Sequence, residues 1–189
     1  MPATSVQKLA RVLKVLVTIT FVCNLIALVL VPGLAMMKGV QELFTLTPYE
    51  RSWEVPVRVL IAFLLGWKWV WTSGAYDVVL TLFLLFCGAC TAVILWQGRR
   101  VLDTILSGNP FRTENGANLR RAAVCCFLIS AAALIRLLWG FWYYASIQPL
   151  LTYNALFVPI FFMGGLLCLV MSALFRQAAE LKAENDLTI

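Results

Sequence analysis

A chain of 189 residues with 62% hydrophobic and 13% charged side chains, at a mean hydropathy of +0.89, lies far from soluble domains, where about 25% of residues are charged. Histidine is absent and Asp plus Glu number nine, which removes most metal sites and the Ser-His and Cys-His catalytic arrangements. The 15 Lys and Arg leave a net charge of +6, read as flanking charge against membrane lipids. Composition thus predicts one all-α integral membrane domain over residues 1–189, a four-helix bundle with no direct nucleic-acid binding.

Four segments carry the roughly 20 mostly apolar residues that a crossing needs: 12–31, 77–96, 122–144 and 155–175. The first follows Lys8, Arg11 and Lys14 and precedes small residues at Gly33 and Ala35, a layout shared with signal peptides. Its apolar run exceeds the about 7–15 residues of a signal core, which favours an uncleaved first helix. Ten Lys and Arg fall on the N-terminal flank through Lys14, the 97–121 loop and the 176–189 tail, against four in 32–76. The positive-inside rule then places both termini in the cytoplasm.

The outer segment 32–76 includes an apolar run from Val57 to Trp71, interrupted by Arg58, Gly66 and Lys68. A fifth crossing there would move the five arginines of the 97–121 loop outside, so the run is read as an interfacial or partly buried helix. Trp67, Trp69 and Trp71 suit the headgroup zone, where an indole buries its ring and still hydrogen-bonds.

Cys87 and Cys90 have dithiol spacing, but all six cysteines (23, 87, 90, 125, 126 and 168) lie within spans and none in the outer segments. Thiols at that depth act as small packing residues. Gly164, Cys168 and Ser172 recur every fourth position on the last span, and Ala122, Cys126 and Ser130 on the third. Such stripes let helix backbones approach, within the chain or in a homodimer. Arg136 is the one strong base inside a span, with Asp77 as the nearest candidate partner. It pairs, snorkels outward, or recognises an anionic ligand. Asn24 is read as an interhelical hydrogen-bonding group. No phosphate loop, HExxH or GxSxG pattern occurs, and neither enzymatic activity nor a cofactor is expected.

Between the second and third spans, 97–121 has the pattern of an inner helical hairpin. Val101, Leu102, Ile105 and Leu106 share a face, and Gly108-Asn109-Pro110 ends the first arm. The second arm is predicted to begin near Thr113 or Asn115, with one of them capping its first turn. Arg99, Arg100, Arg112, Arg120 and Arg121 are headgroup contacts first and a binding surface second.

The stretch Ser107-Gly108-Asn109-Pro110-Phe111, then Asn115, Asn118, Leu119 and Arg120, with the ending Phe175-Arg176 through Leu181 to Asp186-Leu187-Thr188-Ile189, resembles the bacterial membrane-protein family catalogued as domain of unknown function 2975. The resemblance implies four spans, an inner hairpin and tail, and a place in the bacterial cytoplasmic membrane. It further implies a membrane component of a transcriptional switch, working with a small helix-turn-helix regulator.

The leading expectation is therefore a non-enzymatic regulator that docks or sequesters such a partner. Its docking residues would be Gly108, Pro110, Phe111 and Arg112 in the hairpin and Glu180, Leu181, Glu184, Asp186, Leu187 and Ile189 in the tail. The alternative is a small transporter, channel or export accessory subunit with an outer-facing ligand site near Arg136. Transporters usually carry polar or broken helices near the midplane, whereas polarity here gathers at the inner face. The topology is checked by thiol labelling of single introduced cysteines: replacement of Arg112 should react only from the inside, and of Lys38 or Gln148 only from the outside. Labelling at position 112 in intact cells would overturn it.

Overall fold

The computed structural model describes residues 5–35, 66–72, 74–145, 147, 150 and 153–186, with side chains from 7 to 31 in the first range and 155 to 185 in the last. Four long helices dominate: α1 (Ser5–Ala35), α2 (Ala75–Leu106), α3 (Thr113–Tyr144) and α4 (Tyr153–Asp186). No strand occurs among the described residues. Each helix contains a stretch long and apolar enough to cross a membrane, and each of the four expected spans lies inside one of them. The chain is an all-helical, multi-pass membrane protein. At 1.5 Å per residue, helices of 31 to 34 residues run about 47–51 Å, well beyond a hydrocarbon core of about 30 Å. Their ends therefore stand in the interfacial and aqueous layers. The tail expected beyond residue 175 is largely a continuation of α4, which stays helical to Asp186.

The chain divides into two compact units, one of Met1–Asn24 with Ala89–Ile189 and one of Leu25–Gly88. In the first, α3 and α4 pack through small residues, along the expected stripe on α3 and through Gly165, Cys168 and Ser172 on α4. Ala122, Cys126 and Ser130 are buried, as are Ala123, Ile129 and Ala133 between them. Ser172 Oγ donates to Gly116 O at 2.7 Å and Ser130 Oγ to Val158 O at 2.8 Å. The second bond lands beside Pro159, whose ring removes one helical N–H. A Cβ on Gly165 would stand 2.9 Å from the Phe127 ring, and one on Gly116 would stand 3.1 Å from Ser172 O. Phe127 in turn meets Phe162 edge-on at 5.6 Å. The seam departs from the expected α4 stripe at one position: Gly164 has nothing within 4 Å of an added Cβ, and Gly165 makes the close approach in its place.

The first unit also joins α1 to α2, where Phe21 and Trp96 meet at 6.0 Å. In the second unit residues 66–70 form a short helix, and Trp67 Nε1 donates to Val29 O on α1 at 3.1 Å. The indole N–H is thus engaged by the chain itself. Trp69 and Trp71 remain exposed, as a headgroup-level aromatic requires. The remainder of the expected 57–71 helix, and most of the outer segment, lie outside the described residues.

Large apolar side chains are exposed along the spans: Leu16, Ile19 and Ile26 on α1 and Ile160, Met163 and Leu167 on α4 are all more than half exposed. An apolar surface of that extent is matched to lipid tails and would be a liability in water.

Close packing makes a specific demand on two glycines. Gly116→Val should lower stability by about 1–3 kcal/mol, because the added atoms meet a backbone carbonyl that cannot turn aside. Gly164→Ala, where nothing lies within 4 Å of the added Cβ, should be neutral or stabilising. Thermal unfolding in detergent measures both; equal melting temperatures for the two variants would contradict this packing.

Candidate functional site at the hairpin end

The turn between α2 and α3 is built by backbone bonds that its sequence invites. Gly108 N donates to Ile105 O and Asn109 N to Thr104 O, both at 3.2 Å, the pair of bonds of a Schellman ending. Gly108 takes φ +78°, a left-handed conformation that glycine adopts without steric cost, and Pro110 follows where the helix can no longer continue. The sequence expectation for this helix end holds.

The next helix starts at Thr113, where the sequence places it, but its expected cap does not form. Arg112 occupies the N-cap of α3 in extended conformation with no side-chain cap bond, so neither Thr113 nor Asn115 caps the helix. Asn115 is used differently. Its Nδ2 donates to Pro110 O at 2.7 Å and to Thr104 Oγ1 at 2.6 Å, which ties the turn and the last turn of α2 to the first turn of α3. Thr104 Oγ1 can accept because its own proton goes to Val101 O at 2.7 Å. Asn115 is fully buried, and its Oδ1 has no partner. Both amide protons are spent on acceptors, so turning the amide over would leave Pro110 O without its donor. The side chain works as a latch across the turn and not as a cap on its own helix.

Two contacts gather the chain ends around this hairpin. Lys14 Nζ of α1 and Asp103 Oδ1 of α2 form an ion pair at 2.6 Å, both partly exposed. Lys182 Nζ on α4 lies 3.5 Å from Asn109 Oδ1 in the turn. The N-terminal part of α1, the α2–α3 turn and the C-terminal part of α4 therefore stand at one end of the unit. The sequence marks Lys14 only as a flanking charge and does not predict its pairing with Asp103, although Asp103 and Glu114 are the only acids in a loop with five arginines.

The docking residues expected from sequence fall as follows. Phe111 is 49% exposed and Leu181 62% exposed, while Pro110 is half-buried and Gly108, Arg112, Glu180 and Glu184 are exposed. Arg176 Nε donates to Glu180 Oε1 at 3.1 Å one turn further along α4. Asp186 is helical in its backbone; its side chain, Leu187 and Ile189 lie outside the described residues. The structure thus brings the hairpin turn and the Glu180–Glu184 stretch to a common end.

The intramembrane polar residues do not gather there. Asp77 stands in the first turn of α2, where a carboxylate meets the positive end of the helix dipole, and belongs to the second unit. Arg136 is half-buried within α3 and Asn24 half-buried on α1, both in the first unit. None of the six cysteines forms a disulfide. Cys126 lies against Cys168 across the α3–α4 seam and Cys90 against Cys125 between α2 and α3, in keeping with thiols that fill close interhelical contacts. No group of three or more metal-ligating side chains occurs among the described residues.

A family model described as "Protein of unknown function (DUF2975)" matches residues 55–189. The match covers most of the chain, including all of α2, α3 and α4, and the chain belongs to that family. No curated protein and no solved structure matches it.

Removing the latch tests how the hairpin is held. Asn115→Ala deletes two bonds and strands Pro110 O, which should cost about 1–3 kcal/mol of stability and open the 107–112 turn to added protease. Unchanged melting and unchanged cleavage would show that the turn stands on its Schellman bonds alone.

Proposed function

We propose that this member of the DUF2975 family is a non-enzymatic regulator of the bacterial cytoplasmic membrane, which docks or sequesters a cytoplasmic helix-turn-helix transcription factor. The docking surface is the α2–α3 turn together with the C-terminal end of α4. The observation that carries the reading is the pairing of two exposed apolar groups, Phe111 and Leu181, at one end of the first unit, with Lys182 reaching Asn109 between their segments. Exposed apolar groups ringed by charge mark protein interfaces. Glu180 and Glu184 supply negative charge that complements a basic DNA-binding surface, and such complementarity steers association.

A cytoplasmic position for this end is supported by the distribution of Lys and Arg, ten of which flank it. The acidic end of α4 and DNA would compete for the partner's basic surface, so that binding at the membrane withdraws the regulator from its operator. A transport role would draw on Arg136 and Asn24, but the buried side-chain amides Gln97, Asn115 and Asn118 sit toward the hairpin and away from the midplane, which favours docking.

The test combines two variants, Phe111→Ala and deletion of residues 184–189, each scored for folded yield and for recovery of a helix-turn-helix protein from gently solubilised membranes. Both should fold and lose that partner. Retention of the partner by both folded variants, or failure of the intact chain to recover any such protein, would overturn the proposal.

A further inference from the structure

Along one face of the hairpin end of α4 lies a shallow, open groove of about 400 Å³, whose described lining is Leu169, Ser172, Ala173, Arg176, Gln177 and Glu180 of that helix alone. It crosses a chemical boundary. No charged residue occurs on α4 from Tyr153 to Phe175, and Arg176 is the first. Leu169 and Ala173 therefore lie at the depth of lipid tails, and Arg176 lies where the hydrocarbon gives way to headgroups. Ser172 is committed to Gly116 O and takes no part in recognition.

Passing outward, the groove is apolar at Leu169 and Ala173, cationic at Arg176 and anionic at Glu180. A phospholipid with an ethanolamine headgroup has the same order in complement: acyl chain and glycerol, then an anionic phosphate, then a primary ammonium. One helical turn separates Arg176 from Glu180, a rise of about 6 Å, on the scale of the two-carbon arm between phosphate and ammonium. The pair is exposed, with side chains 74% and 56% accessible, and its single bond uses only Arg176 Nε and Glu180 Oε1. Both terminal guanidinium nitrogens and the second carboxylate oxygen remain for a ligand.

We propose that this groove seats the headgroup of an ethanolamine phospholipid, with its phosphate on Arg176, its ammonium on Glu180 and one chain along Leu169 and Ala173. A choline headgroup has no N–H to donate to Glu180, and a glycerol headgroup leaves that carboxylate beside a net negative lipid. The site shares Glu180 with the docking surface proposed above but does not rest on that reading, because lipid binding is measured on the purified chain with no protein partner present.

The experiment adds dioleoyl phosphatidylethanolamine, phosphatidylcholine or phosphatidylglycerol to the purified full chain in delipidating detergent and reads the shift in melting temperature against lipid concentration. Half-saturation by the ethanolamine lipid should come at a roughly three- to tenfold lower concentration than by the others, the scale of one charge-assisted hydrogen bond. Glu180→Gln should remove the preference over choline. The swap of Arg176→Glu with Glu180→Arg keeps the ion pair and the net charge but reverses their order, and should also abolish it. Because an exposed pair of this kind adds little to stability, both variants are expected to fold. Equal response to choline lipid, a stronger response to glycerol lipid, or an undiminished ethanolamine preference in the swapped chain would each overturn the assignment.

Discussion

Lipid offers no hydrogen bonds, and everything in this chain follows from that. Within the hydrocarbon layer each backbone N–H and C=O must find its partner inside its own helix, so long uninterrupted helices are the economical answer. The rule also decides how the helices meet. Lipid tails are as apolar as leucine, so burying a leucine between helices gains little, and close approach of backbones with a few well-placed hydroxyls takes over. The α3–α4 seam is built this way, with Gly116 and Gly165 admitting the neighbour and Ser130 and Ser172 donating across it.

The same constraint pushes polarity toward the ends. Where the helices outrun the hydrocarbon, the sequence changes character: Lys14 pairs with Asp103, Arg176 with Glu180, and Asn115 stitches the turn. An amide buried at that point is costly if it lacks donors and acceptors, and Asn115 spends both its protons. The turn is thereby held by two systems, backbone bonds around Gly108 and a side-chain latch from α3. A hairpin so anchored carries the exposed Phe111 on a fixed support, which would lower the entropy cost of the docking proposed above. The proposed lipid seat and the proposed docking surface share this end, where apolar and charged groups stand within one or two helical turns of each other.

Much of the architecture was readable from hydropathy and punctuation alone. The four spans, the Gly108 ending and the small-residue stripes depend on local pattern, and local pattern is written in the order of residues. Asn115 shows the limit of that kind of reading. Its place near a helix start suggested a cap, because an Asn there usually bonds to its own helix. Which acceptors lay within its reach depended on where Thr104 and Pro110 ended up, and that follows from the path of the turn.

What the sequence by itself determined is therefore the class of the protein, the four spans found among the described residues and the gathering of most charge at the span ends, since these depend on free energies of transfer that each segment carries independently of its neighbours. The tertiary structure alone decided which residues meet. The pairing of Lys14 with Asp103, the reach of Trp67 to Val29 and the gathering of the hairpin turn with the end of α4 join positions separated by 38 or more residues along the chain. Such contacts depend on crossing geometry and relative register, which no single segment encodes, and they emerge only when the helices pack.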